Sequence, residues 1–135
     1  MGTVIRPEVS KENKYYIPRH RYYELKHFCM QYKDFKKVYN ELCSKIQSGV
    51  LKIGDEPAIE DKTLYIRQRY LDKITVIEES ARLTDDVLGA YILKGVTEGL
   101  PYTYFKTMNN IPCCKDTYYE LYRKFFWILH HKKNA

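Results

Sequence analysis

Apolar residues recur at steps of three and four along most of this chain, which predicts a succession of helices. The first starts at Arg19, after a proline that suits a helix's first turn, and places Tyr22, Leu25, Phe28, Cys29 and Tyr32 on one face. A break is expected around Tyr32–Asp34, because Asp34 can cap a new helix. The second stretch, Phe35–Ile46, gathers Phe35, Val38, Tyr39, Leu42 and Ile46, while Lys33, Lys36, Lys37 and Lys45 lie opposite. Ser48-Gly49 ends it, glycine being the usual left-handed stop. Residues 49–59, GVLKIGDEPAI, hold two glycines and a proline and read as a linker.

Glu60–Arg82 reads as one long helix. Leu64, Tyr70, Leu71, Ile74, Ile77 and Ala81 form its apolar stripe, and Arg67, Gln68, Asp72, Lys73, Glu78 and Glu79 form its wet side. Such a helix spans roughly 35 Å. Its heptad register is short, so packing on the preceding helices is favoured over a coiled coil. Thr84 is the expected cap of the next helix, with Asp85 and Asp86 complementing its dipole. Val87, Leu88, Tyr91, Ile92 and Val96 are expected to face inward, and Gly99 to stop the helix.

The last segment, Leu100–Leu129, carries the functional signal. A short helix is expected from Pro101 through Tyr104, Phe105 and Met108, broken by Asn109-Asn110-Ile111-Pro112. A longer one starts near Lys115–Thr117, with a Cys or Asp at its cap and Tyr118, Leu121, Phe125 and Ile128 or Leu129 at helical spacing. Short helix, turn and amphipathic helix make a helix-turn-helix, whose second helix can enter a DNA major groove. The chain therefore reads as all-α. Residues 1–17 form a flexible lead, 18–48 an N-terminal helical hairpin, 49–59 a linker, and 60–135 a long helix followed by the helix-turn-helix domain.

Charge sharpens this picture. Residues 1–60 carry eleven Lys/Arg against eight Asp/Glu, residues 61–100 six against seven, and residues 101–135 six against two. The excess of +4 in the last segment favours phosphate backbones, acidic partners or anionic membranes. No apolar run approaches the ~18 residues of a membrane span. The N-terminus lacks the apolar core of a signal peptide, and Arg6 stands where myristoylation wants Ser or Thr. A cytoplasmic location and no membrane partner are expected.

Enzyme chemistry finds little support. His20, Glu24 and His27 share a helix, but their H-x-x-x-E-x-x-H spacing is not that of zinc hydrolases. There is no glycine-rich phosphate loop and no G-x-S-x-G elbow. Cys29 and Cys43 read as small core residues, and adjacent Cys113-Cys114 do not suit one tetrahedral metal. No catalytic residue, metal or cofactor is expected. His130-His131, beside Lys132-Lys133, reads as a frayed basic tail. Most of Tyr118, Tyr122, Phe125, Phe126 and Trp127 are expected in the core, because aromatic side chains bury large areas.

YELKHFCMQYKDFKKVYNELCSKI and TYYELYRKFFWIL complete a layout that resembles the phage late-gene transcriptional activators of the RinA and ArpU types, which end in a helix-turn-helix like region four of sigma factors. The second string is similar to their recognition helix, with Thr117 opening it, Leu121 buried and Arg123-Lys124 following. The turn IPCCKDT is about two residues longer than the sigma-like turn. The resemblance implies a DNA-binding regulator in a bacterial host cell, with double-stranded DNA as partner and N-terminal helices that contact RNA polymerase or a second copy.

Lys115, Thr117, Tyr119, Glu120 and Arg123 are the candidate residues on the exposed face of the second helix. Residues near the start of a recognition helix reach base edges, and Arg123 can bind guanine bidentately or a phosphate. Thr103 and Lys106 on the first helix would touch the DNA backbone, and Lys124, Lys132 and Lys133 suit the same electrostatic role. Two other readings stand beside this one. The chain could be a phage-encoded protein-interaction module that inhibits a host protein, or a small DNA-packaging subunit that assembles into a homo-oligomeric ring.

Overall fold

Helix α6, Lys115–Asn134, runs through the centre of the molecule and packs against four other helices. The structure, a computed structural model, describes residues 13–47 and 57–134, and it is all-α. The other helices are α1 (Arg19–Met30), α2 (Tyr32–Gln47), α3 (Pro57–Thr84), α4 (Gly89–Glu98) and α5 (Tyr102–Asn109). Residues 49–56 of the expected linker 49–59, and the expected helix stop at Ser48-Gly49, lie outside the described residues, and the linker's last three positions already belong to α3.

The packing follows the apolar stripes. Tyr22, Leu25 and Cys29 of α1, Ile74, Ile77 and Ala81 of α3, and Ile92 and Val96 of α4 close around Tyr118, Tyr122, Phe125, Phe126 and Leu129 of α6. The core is dominated by rings in edge and tilted contacts, such as Tyr22 on Phe126 at 5.1 Å and Tyr122 on Phe126 at 5.2 Å. These geometries are the ones aromatic quadrupoles favour. The long helix α3 serves two neighbourhoods. Its C-terminal half is buried in this core, whereas Leu64, Tyr70 and Leu71 nearer its start are half-buried along α2.

Two helix boundaries differ from expectation, the first through a tertiary contact and the second through local hydrogen bonds. The break between α1 and α2 falls at Gln31, so Tyr32 opens α2. Tyr32 is buried there and its hydroxyl bonds to Glu78 of α3, which holds the turn ahead of Asp34. Thr84 does not cap α4. It is buried at the end of α3 and its hydroxyl donates to the Ser80 carbonyl at 2.7 Å. Asp85 takes the capping part instead, accepting the N–H groups of Val87 and Leu88 at 2.9 and 2.7 Å. Because residues 85–88 form this turn, helical periodicity fails at Val87, which is 71% exposed rather than inward.

Candidate nucleic-acid interface

The turn between α5 and α6 is built by local chemistry. Asn110 ends α5 in the left-handed region, φ 49°, which asparagine tolerates better than most residues. The Phe105 carbonyl then accepts the N–H groups of Asn110 and, at 3.2 Å, Ile111. Ile111 is buried, and the Tyr102 hydroxyl donates to the Cys113 carbonyl at 2.7 Å. Tyr118 stacks between Phe105 and Tyr102 at 5.7 and 5.9 Å and donates its hydroxyl to the Leu100 carbonyl at 3.0 Å. The two helices are therefore rigidly joined, and five residues separate them.

At the start of α6, the Cys114 carbonyl accepts the Tyr118 N–H at 3.1 Å and its thiol lies 3.2 Å from the Thr117 hydroxyl. That hydrogen bond, followed by the Thr117 backbone N–H, holds the Cys114 thiol below its ordinary pKa. The neighbouring Cys113 thiol is pushed up by burial and then by the charge of Cys114.

The structure brings Lys115, Tyr119, Glu120 and Arg123 of the candidate residues to one cleft on α6. Lys115, Thr117 and Glu120 of α6 are exposed, as are Thr103 and Lys106 of α5, while Arg123 and Lys124 are half-buried. Tyr119 is a correction. It is 7% exposed, and its hydroxyl accepts the Tyr102 N–H at 3.2 Å, so it docks α5 on α6 instead of reaching outward. Thr117 also turns its hydroxyl back towards Cys114.

The expected frayed tail is a second correction. α6 continues to Asn134, and its last turn is fastened to the core. Arg21 of α1 donates Nε–H to His130 Nδ1 at 3.0 Å and an Nη2 hydrogen to Asn134 Oδ1 at 2.8 Å. Lys132 pairs with Glu79 at 3.5 Å, and the Lys133 ammonium sits 3.9 Å from the Phe28 ring centroid. Lys132 and Lys133 thus stand at the far end of α6 from Lys115, roughly 25 Å away along the helix. They are engaged in packing rather than free for the same electrostatic role.

The charges near Lys115 behave differently. Among the described residues, the ion pairs join Arg21 to Glu24, Lys33 to Glu98, and Glu79 to both Arg82 and Lys132. Lys106, Lys115, Arg123 and Lys124 belong to none of them. A shallow cleft opens here, lined by Lys115, Asp116, Tyr119, Glu120 and Arg123 of α6 and, across from them, by Asn13. The contribution of Asn13 has no signal in the local sequence. The segment before α1 lies along α6, with Ile17 buried and the Tyr15 ring edge-on to Trp127 at 5.7 Å.

Comparison with protein-family models, with curated proteins and with solved structures finds no match for this chain. No described helix is long and apolar enough to cross a membrane.

Proposed function

We propose that this chain is a phage or prophage transcriptional regulator that reads duplex DNA with the start of α6. One observation carries the reading. The body of α6 is locked in an aromatic core, while its first turn leaves Lys115, Asp116 and Thr117 exposed, and Lys115 and Arg123 form no ion pair among the described residues. A helix held by its body and free at its N-terminal end is the arrangement by which recognition helices reach base edges. Lys106 and Thr103 on α5 supply contacts to the flanking backbone. As in the late-gene activators the chain resembles, the N-terminal helices would contact polymerase or a second copy through the faces they do not bury against α6.

The test is a gel shift of the full chain against fragments of the DNA that surrounds its gene. One fragment should shift selectively, and affinity should fall steeply as salt rises. Arg123→Ala and Lys115→Ala should each weaken that complex by roughly tenfold, consistent with ~1–3 kcal/mol for a direct base contact. Equal binding of every fragment by parent and variants would remove α6 from the groove. The protein-interaction reading draws on a separate observation, the two carboxylates of Asp116 and Glu120 on the same face. A chain that shifts no fragment but co-purifies with a single host protein would favour that reading.

A further inference from the structure

We propose that the strap Asn13–Ile17 is a second DNA-contact element, laying Lys14 against the phosphate backbone beside α6. The inference rests on the reading of α6 as the DNA-reading helix.

The strap is held in place by features that leave its tip outside the core. Ile17 is 1% exposed and Tyr15 covers part of Trp127, so residues 15–17 account for the packing. Asn13 then closes a turn. Its side-chain oxygen accepts the Tyr15 N–H at 2.8 Å, and its carbonyl accepts the Tyr16 N–H at 3.0 Å. This turn sets Asn13 across the cleft from Lys115, Glu120 and Arg123. Asn13 and Lys14 are exposed and add nothing to the core. The Lys14 ammonium rests 5.0 Å from the Tyr15 ring centroid and has no carboxylate partner among the described residues. Such a contact at an exposed site is weak and easily exchanged for a phosphate.

Electrostatics indicate why a flank is needed. The cleft side of α6 carries Lys115 and Arg123 but also Asp116 and Glu120, so its formal charges cancel. Carboxylates on a reading face can accept from cytosine amino groups, yet they repel phosphates. The charge that holds the backbone has to come from beside the helix. Lys106 is exposed on α5, and Lys14 is exposed on the strap.

The experiment is fluorescence anisotropy of the full chain with a labelled random-sequence duplex of about 25 bp, over a salt series, for the parent, Lys14→Ala, Lys14→Arg and Arg123→Ala. Lys14→Ala should weaken binding roughly fivefold at low salt and lower the slope of log K against log salt by about one. Lys14→Arg should behave as the parent. If Arg123→Ala weakens binding while Lys14→Ala leaves affinity and slope unchanged, the strap is only a packing element and the inference falls alone. A gain in affinity on Lys14→Ala would mean that the strap shields the face, which also overturns it. A parent chain that binds no duplex overturns both this inference and the reading of α6.

Discussion

Gly95 of α4 lies directly against the hydroxyl of Tyr118 of α6: a Cβ built on the glycine would come within 2.2 Å of that oxygen and 3.4 Å of the Phe105 ring. The absence of a side chain at position 95 lets α4 approach α6 closely enough for Tyr118 to reach the Leu100 carbonyl. Gly95→Ala should therefore destabilise the fold by about 1–3 kcal/mol, even though alanine is the better helix former. Tyr118→Phe removes the crowding oxygen together with one hydrogen bond and should cost about 1 kcal/mol. In the double variant the two losses should sum to clearly less than their separate values, as measured by chemical denaturation. Simple additivity would mean that the two residues do not share this contact.

Asn110 makes the tight exit from α5 possible. At φ 49° a β-branched residue is strained, whereas glycine is not. Asn110→Val should lower stability by about 1–2 kcal/mol and Asn110→Gly should leave it nearly unchanged. A thermal melt in which Val and Gly behave alike would show that the left-handed turn does not hold in solution.

Much of this fold was legible because its stops are local. Gly99, Asn110 and Pro112 end or interrupt helices through their own backbone preferences, and the apolar stripe of α3 follows from spacing alone. The cap at Thr84 was misread through local bonds to Ser80 and to Asp85, whereas the other misreadings share a physical origin in partners distant along the chain. Tyr32 starts α2 early because Glu78 waits on α3. Tyr119 turns inward because α5 supplies a backbone N–H for its hydroxyl. His130, Lys132 and Lys133 form an ordered last turn only because Arg21, Glu79 and Phe28 lie beside it. The candidate face was partly legible for the opposite reason. Lys106, Lys115 and Glu120 are exposed residues whose position depends only on helix phase, whereas the strap that completes the cleft depends on Tyr15 finding Trp127.

Cys114 should be the most reactive thiol of the chain. Its pKa is held down by Thr117, whereas burial pushes the Cys29 and Cys113 thiols up. Because the thiolate is the nucleophile, limited alkylation near neutral pH should label Cys114 first and Cys29 only on unfolding. Thr117→Val should slow Cys114 labelling roughly threefold. The measurement is peptide mass spectrometry over a time course, and preferential labelling of Cys29 in the folded chain would contradict the burial described.

His130 should make stability depend on pH. Its pKa is held below the ordinary histidine value by burial, then by the Arg21 guanidinium and by His131. The neutral ring accepts the Arg21 Nε–H, with Glu24 and Asn134 bound to the same guanidinium. Protonation turns that acceptor into a donor facing a cation. The unfolded chain takes up this proton at a higher pH than the folded chain. Stability from this group is therefore full above about pH 6.5 and is lost as pH falls towards the lower folded value. His130→Gln keeps an acceptor without the titration and should flatten the denaturation midpoint between roughly pH 7 and pH 5. An unchanged pH profile in that variant would assign the dependence to other groups.

Glu120 offers a prediction of opposite sign to those for the cations. It is the exposed residue of α6 between Tyr118 and Leu129, and it has no ion-pair partner among the described residues. If α6 faces DNA, this carboxylate repels the backbone of any sequence and is compensated only where it meets a hydrogen-bond donor such as a cytosine amino group. Glu120→Gln should then raise affinity for random duplex by roughly threefold while narrowing the gap between the specific and random fragments. Affinity measured at two salt concentrations separates the effects, since the gain on random DNA should shrink as salt rises and the loss of discrimination should not. Equal gains on both kinds of DNA would confine Glu120 to an electrostatic role, and no change on either would place the face away from DNA.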